Sequence, residues 1–175
     1  MIGRRDVLKG EELKKGLRGI PMQTSMYGGI HYKLVRTWCI YSDALLFKSV
    51  VFGLKELIEN EIGAGNFDCI CAVPPCGTPL AASLSLVMEK PLIVPLPQDF
   101  AVMGTIENFH CEERIEHGKR ILLVDSISNS GASARNTMER LNSIDGTFIG
   151  LVVVLSNDTF PEKRSDKFKR TIVAT

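Results

Sequence analysis

Residues 120–135 read RILLVDSISNSGASAR, which predicts a buried strand, a loop of small polar residues and a helix. The apolar run 121–124 ends at Asp125, and Gly131 lies among hydroxyl and amide side chains in the loop 126–133. Small residues let a backbone close around an anion, and loop N–H groups with a helix N-terminus stabilise its charge. The stretch therefore predicts a phosphate site. A βα turn that binds nothing is the alternative, because small polar helix caps are common.

This loop is neither a Walker loop nor a dinucleotide fingerprint. No Lys follows Gly131 to reach a phosphate, and one Gly is present where the dinucleotide motif has three. An acid at the strand end can hold sugar hydroxyls while the loop holds a phosphate on the same sugar. Asp125 and the loop behind it therefore suit a ribose 5-phosphate.

Length and composition favour one globular domain over residues 1–175. The chain is 45% hydrophobic and 23% charged, as is ordinary for a folded domain. Its formal net charge of +1 gives no reason to expect nucleic-acid or membrane binding. No apolar run approaches a membrane span, and the charged N-terminus lacks the apolar core of a secretory signal. We expect a cytoplasmic protein.

Strand and helix patterns alternate along the chain, which predicts an α/β fold with a mostly parallel, twisted sheet and helices on both faces. The predicted elements are a helix over 6–18, a loop over 22–34, a strand over 34–41, a helix from Ser42 or Asp43 to about Ile62, a strand over 68–73, a helix over 80–88, strands over 91–96 and 120–125, a helix over 131–143, a strand over 147–155 and an edge strand over 171–174. Ligands bind beyond the carboxyl ends of parallel strands. The loops 74–79, 97–119 and 125–133 should therefore meet at one site.

The chain has five cysteines, which we expect to be reduced thiols in apolar surroundings. Cys69 and Cys71 alternate along a predicted strand and so face the same side, where they are interpreted as buried small hydrophobes. We expect no metal site. The alternative is a structural metal held by Cys69, Cys71, His110 and Cys111.

The segment 124–133 resembles the 5-phosphoribosyl-1-diphosphate (PRPP) motif of the type I phosphoribosyltransferases. That motif runs as an apolar strand, two acids, two apolar residues and Thr-Thr-Gly-x-Ser/Thr. The matching positions are Asp125, Ser130, Gly131 and Ser133, whereas Ser126 replaces the second acid and Asn129 replaces a Thr. The resemblance implies that Asp125 is the catalytic residue that holds ribose hydroxyls. It assigns the 5-phosphate to Ser128, Asn129, Ser130, Gly131, Ala132 and Ser133.

Residues 73–81, VPPCGTPLA, resemble the strand, loop and helix whose loop holds pyrophosphate in the orotate phosphoribosyltransferases. The resemblance implies pyrophosphate contacts from Pro75, Cys76, Gly77 and Thr78. A proline-stiffened turn is the alternative. The resemblance to the orotate phosphoribosyltransferases also implies a small N-terminal hood over the base, about residues 1–40. It implies base contacts from Ser25, Tyr32 and Asn157. An ordinary loop with a packed Tyr is the alternative for the hood.

The resemblance implies the type I phosphoribosyltransferase fold, a homodimer, and transfer of phosphoribose from PRPP to an orotate-like pyrimidine with Mg²⁺ and release of pyrophosphate. Three departures affect the chemistry: no cation in 96–102, Ser126 for an acid, and Asn157 for an Arg that grips the orotate carboxylate. Losing one electrostatic donor commonly costs about a hundred- to a thousandfold in rate. Binding thus looks better preserved than catalysis, and no general acid or base is identifiable. A regulatory protein that senses PRPP or a nucleotide without turnover is the alternative.

Overall fold

The computed structural model describes residues 7–27, 30–97, 109–110, 118–128, 131–141, 146–156 and 171–173. The chain divides into two compact units, residues 1–53 and 54–175. The division falls within one long helix, and the predicted single domain stays a prediction. None of the helices in the described ranges combines the length and apolarity that a bilayer-spanning segment needs.

The first unit holds two short helices, a hairpin and the start of a long helix. Its elements are α1 (Gly10–Arg18), β1 (Met22–Tyr27), β2 (Ile30–Val35), α2 (Trp38–Ser42) and the beginning of α3 (Ala44–Glu61). The predicted loop over 22–34 is wrong for its described residues, because 22–27 and 30–34 belong to the paired antiparallel strands β1 and β2.

The predicted strand over 34–41 is wrong, because most of this stretch forms a turn and α2. The amides of Cys39 and Ile40 donate to the carbonyls of Arg36 and Thr37 at 2.9 and 3.0 Å, which closes a helical turn. Ile40 is fully buried while Trp38 is 55% exposed. Burial of one helical face therefore overrides the β preference of these residues.

Helix α3 begins where the sequence predicted a cap. The Asp43 carboxylate oxygen Oδ1 accepts hydrogen bonds from the amides of Leu45 and Leu46 at 3.0 and 2.9 Å. These bonds satisfy two of the first-turn donors that a helix leaves without partners. The prediction of a helix from Ser42 or Asp43 to about Ile62 is confirmed.

The elements of the second unit are a 3₁₀ turn (Ala64–Asn66), β3 (Cys69–Ala72), α4 (Thr78–Met88), β4 (Leu92–Ile93), β5 (Leu96–Pro97), β6 (Phe109–His110), β7 (Lys119–Ser128), α5 (Ala132–Arg140), β8 (Gly146–Ser156) and β9 (Thr171–Val173). Among the described residues, five of these strands form a parallel sheet in the order β4, β3, β7, β8, β9. Strands β5 and β6 form a separate antiparallel pair. The parallel sheet and the edge position of β9 confirm the predicted fold class.

Burial explains why the central strands are almost continuously apolar. All residues of β3 and residues 121–126 of β7 are buried, so both faces of the sheet are covered. On one face, Ala134 and Leu141 pack with Ile121 and Leu123. Helix α5 is thereby fixed against the strand that precedes it.

Strand β7 is longer than the predicted strand over 120–125. It keeps its parallel pairing with β8 as far as Ser128, which lies opposite Ser156. Asp125 and Ser126 are therefore strand residues, and the strand continues to Ser128, past the position at which the loop was predicted to begin. The predicted strand over 91–96 is divided between the two short strands β4 and β5.

Candidate functional site

A cavity of about 210 Å³ lies at the carboxyl ends of β3 and β7. Its lining residues come from the loop after β3, the end of β7 and the start of α5: Pro74, Pro75, Cys76, Asp125, Ile127, Ser128, Gly131, Ala132, Ser133 and Ala134. The structure thus brings together two of the three predicted loops, 74–79 and 125–133. Most of the third, 97–119, lies outside the described residues.

The start of α5 presents backbone donors to this cavity. Gly131 has a left-handed conformation, with φ 70° and ψ 9°, which a glycine adopts without strain. The helix then begins at Ala132, and its first internal bond runs from the Arg135 amide to the Gly131 carbonyl at 3.0 Å. Within the described structure, no group accepts a hydrogen bond from the amides of Ala132 and Ser133. Both residues are exposed and line the cavity, and first-turn amides of a helix are groups that commonly bind anions.

Four of the six residues predicted to hold the 5-phosphate line the cavity, namely Ser128, Gly131, Ala132 and Ser133. The other two, Asn129 and Ser130, lie outside the described residues. The assignment of the phosphate to this group stays a prediction.

Asp125 lies on β7 beside these amides and is 7% exposed. Its Oδ1 accepts a hydrogen bond from the Ser126 amide at 2.7 Å. Burial raises the pKa of Asp125 to about 7, although hydrogen bonds from the Ser126 and Ile127 amides act in the opposite direction. The carboxyl group is therefore partly protonated at neutral pH, and it can donate to or accept from a sugar hydroxyl.

Ser126 contributes nothing to the cavity. Successive side chains of a strand point to opposite faces, so Ser126 faces away from the side that Asp125 and Ile127 line. Its side chain is fully buried, and its Oγ has no hydrogen-bond partner within the described structure. The cavity therefore has one carboxyl group among its described lining residues, at the position of the first acid in the family motif.

The loop after β3 is bonded mainly within itself. The Pro74–Pro75 peptide is cis, and neither proline has an N–H. The Gly77 amide donates to the Val73 carbonyl at 2.9 Å, and the Thr78 amide donates to the Pro75 carbonyl at 3.3 Å. Of the four residues predicted to contact pyrophosphate, Pro75 and Cys76 border the cavity, whereas Gly77 and Thr78 do not.

Gly77 has a structural reason to be a glycine. A Cβ built there would collide with the Val124 carbonyl oxygen and would lie 2.6 Å from the Val73 carbonyl oxygen. Its φ of −75° is available to any residue, so the requirement concerns space. The missing side chain allows α4 to begin directly against β7.

Arg120 lies on β7 at the end opposite to Asp125. Its Nε and a terminal guanidinium nitrogen bond the two Asp68 carboxylate oxygens at 3.0 and 2.8 Å. Arg120 precedes Asp125 by five residues, which corresponds to about 17 Å along a strand. None of the described residues that line the cavity is Lys or Arg. Sequence reasoning missed this ion pair, although an acid before β3 and an Arg early in β7 were its visible signal.

Two of the three predicted base contacts lie opposite each other in the first unit. Ser25 and Tyr32 are paired residues of the β1–β2 hairpin. Asn157 lies outside the described residues. The predicted contacts of these residues with a base stay predictions.

The cysteine interpretation is confirmed for the strand pair. Cys69 is 4% exposed and Cys71 is fully buried, and both pack in the apolar core with Leu123. The four cysteines in the described ranges are not in disulfides. Cys111 lies outside these ranges, and within them no group of three His, Cys, Asp or Glu side chains could hold a metal ion.

A larger cavity, of about 540 Å³, belongs to the first unit. It lies among α1, α2 and the start of α3, and it contains none of the predicted site residues. The predicted site residues that line a cavity in the described structure therefore line the smaller one.

Sequence comparison finds relatives but no matching family model. The chain is 25% identical to an orotate phosphoribosyltransferase of Cenarchaeum symbiosum over 109 residues, 62% of this chain and 53% of that protein. It is 23% identical to the orotate phosphoribosyltransferase of Archaeoglobus fulgidus over 124 residues, 68% of this chain and 67% of that protein. It is also 27% identical to the transcriptional regulator GfcR of Thermoplasma acidophilum over 106 residues, 59% and 52% of the two chains. The chain thus matches about half to two thirds of each relative.

Structural comparison gives the same fold over almost the whole chain. An orotate phosphoribosyltransferase from Aeropyrum pernix superposes with a TM-score of 0.71 and 19% identity, covering 91% of this chain and 89% of that one. An adenine phosphoribosyltransferase from Saccharomyces cerevisiae gives a TM-score of 0.72 and 17% identity, covering 94% and 99%. The predicted type I phosphoribosyltransferase fold is confirmed, as is the resemblance to that family on its orotate side.

Proposed function

We propose that this chain, which has the type I phosphoribosyltransferase fold, binds the 5-phosphate of a phosphoribosyl compound at the start of α5. The proposal is carried by the amides of Ala132 and Ser133, which have no acceptor within the described structure and belong to residues that line a cavity with Asp125. Backbone N–H groups at a helix N-terminus stabilise a phosphate without needing a cation. Asp125 would then hold hydroxyls of the ribose that carries this phosphate.

The first candidate function of a protein with this phosphate site is a transferase reaction. The orotate phosphoribosyltransferases among the relatives favour it. The chain would move phosphoribose from PRPP to an orotate-like pyrimidine, with Mg²⁺ accompanying PRPP and pyrophosphate leaving. Ser25, Tyr32 and Asn157 would contact the base. The charge that develops on pyrophosphate requires electrostatic stabilisation, and the described wall of the cavity contains no cation.

Regulation without turnover is the second candidate, and the site geometry favours it. The described residues at the start of α5 offer amides for a phosphate, whereas the described lining of the cavity has one carboxyl group and no cationic residue. The relative from Thermoplasma acidophilum that is named as a transcriptional regulator supports this candidate. The chain would then report the level of PRPP or of a nucleotide. A homodimer and a cytoplasmic location fit both candidates.

Calorimetric titration with ribose 5-phosphate tests the binding proposal. Ser133→Asp places a negative charge at the exposed first turn of α5, where it favours the helix but repels a phosphate. We expect it to weaken binding by about tenfold or more, equivalent to about 1.4 kcal/mol. Asn136→Asp adds the same charge on a residue further along the helix and should change affinity by less than about threefold. Absence of binding to the unsubstituted protein would overturn the proposal.

An assay of pyrophosphate release separates the two candidates. Protein, PRPP and Mg²⁺ are incubated with orotate, uracil or adenine in turn. Release that depends on one of these bases would establish the transferase. Binding of ribose 5-phosphate without release on any base would support the regulatory function.

A further inference from the structure

The cavity wall that would face a diphosphate has few backbone donors. Pro74 and Pro75 have no N–H, and the amides of Gly77 and Thr78 donate to carbonyl oxygens of their own loop. A pyrophosphate group is held in enzymes by converging donors and cations. This wall instead places two proline rings against the cavity.

The donor set also does not fit the Mg²⁺ that accompanies PRPP. Mg²⁺ requires near-octahedral oxygen ligands and is held in proteins by one or two carboxylates together with substrate phosphates. The described lining has one carboxyl group, and its Oδ1 already accepts the Ser126 amide at 2.7 Å. The side chain of Ser126, at the position of the second acid, lies fully buried on the opposite face of β7.

Charge and size favour a smaller ligand. No described lining residue is a Lys or Arg, and Arg120 is bonded to Asp68 at the far end of β7. The volume of about 210 Å³ lies below the range of about 300–1,000 Å³ that is typical of sites for drug-sized ligands. A phosphate monoester needs strong donors at one end only, and the start of α5 provides them there.

We propose that this cavity selects a sugar phosphate monoester, such as ribose 5-phosphate or the ribose 5-phosphate part of a nucleoside 5′-monophosphate, over the 1-diphosphate of PRPP, and that it binds its ligand independently of Mg²⁺. The inference rests on the proposed function for the 5-phosphate and adds the ligand class. The 5-phosphate end is common to both kinds of ligand. Selectivity therefore arises at the wall formed by Pro74, Pro75 and Cys76.

Titration of the protein with ribose 5-phosphate and with PRPP, each with Mg²⁺ and with a chelator, tests this selectivity. We expect PRPP to bind no more tightly than ribose 5-phosphate, and Mg²⁺ to change either Kd by less than about twofold, under about 0.5 kcal/mol. Tightening of PRPP by Mg²⁺ of about tenfold or more would overturn the inference and leave the proposed function standing. Failure of ribose 5-phosphate to bind would instead overturn the proposed function.

A pair of substitutions at Cys76, which borders the cavity, tests where the selectivity arises. Cys76→Lys adds a cation to the diphosphate side, and Cys76→Met adds comparable length without charge. The lysine variant should improve the affinity for PRPP relative to ribose 5-phosphate by about threefold or more, whereas the methionine variant should leave the ratio unchanged. Thermal melts confirm that both variants fold. A folded lysine variant with an unchanged ratio would contradict the proposal, because the second phosphate group would then not face this wall.

Discussion

Gly77 lies directly against Asp125: a Cβ built on the glycine would lie 3.0 Å from the Asp125 Cα. Gly77 directly precedes α4, and Asp125 lies on β7. Their close approach fixes the wall formed by the loop after β3 beside the carboxyl group. The geometry of the cavity therefore depends on the absence of a side chain at Gly77.

Gly77→Ala should destabilise the protein, because the new methyl group meets two backbone carbonyls that cannot move independently. We expect a loss of about 1–3 kcal/mol, as for other overpacked sites, and weaker binding of ribose 5-phosphate. Gly65→Ala is the matched control, since a Cβ there has no atom within 4 Å. Its effect should stay below about 0.5 kcal/mol. Urea unfolding measures the free energy of unfolding of both variants. Equal losses in Gly77→Ala and Gly65→Ala would contradict the close approach of Gly77 to β7.

Ser126→Ala should be neutral or stabilising, because it removes a buried hydroxyl that has no partner within the described structure. Ser49→Ala is the contrast. The Ser49 hydroxyl accepts the Leu8 amide at 2.8 Å and donates to the Leu45 carbonyl at 2.6 Å. Its loss should cost about 1 kcal/mol. If denaturant unfolding shows that the two variants lose equal free energy of unfolding, the description of the Ser126 hydroxyl as buried without a partner is wrong. Ribose 5-phosphate affinity should not change in Ser126→Ala.

The raised pKa of Asp125, about 7 against an ordinary 3.8, makes stability depend on pH. Between these values the folded protein retains a proton that the unfolded chain releases, so the free energy of unfolding falls as the pH rises. The difference between these two pKa values corresponds to a fall of about 4 kcal/mol in the free energy of unfolding. Asp125→Asn cannot titrate. The stability of the unsubstituted protein relative to this variant should therefore decline from about pH 4 to about pH 7. A difference that does not vary with pH would contradict the burial of the carboxyl group.

The Asp68–Arg120 pair should give stability the opposite pH dependence at lower pH, so that its contribution is lost as the pH falls. The Arg120 guanidinium holds the pKa of the Asp68 carboxyl well below its ordinary value. The pair thus contributes stability above the unfolded value, near about pH 4, which is lost as the pH falls toward the folded value. Asp68→Asn removes this contribution, so its melting temperature should change less than that of the unsubstituted protein from about pH 4 to about pH 3. Parallel melting curves would contradict the pairing. Affinity for ribose 5-phosphate should be unaffected, since the pair lies at the opposite end of β7.

The sequence predicted the parts of the site that depend on local order along the chain. An apolar run, an acid, small polar residues and a glycine are sufficient to predict the strand, the turn and the helix start at 120–140. The rule that ligands lie at the carboxyl ends of parallel strands then places Asp125 and the loop after β3 together. Both predictions depend on short-range pattern and on topology.

Features that depend on distant contacts could not be predicted. Residues 34–41 are rich in β-forming residues, but α2 forms there because a helix buries Ile40 on one of its faces. The length of β7 depended on pairing with β8 as far as Ser156. The Gly77 amide is a different case, because its bond to the Val73 carbonyl four residues earlier is local. It depends on the backbone conformation of the loop, which the residue pattern did not indicate.

The response of the Ala132 and Ser133 amides to ribose 5-phosphate, measured by ¹⁵N-resolved NMR, tests the proposed phosphate site most directly. We predict that these two amides show large and saturable shift changes, because they become the phosphate donors. The Arg120 amide, which donates to Asp68 at 2.8 Å, should not move. Saturable binding that leaves Ala132 and Ser133 unchanged would contradict the assignment of the phosphate to the start of α5.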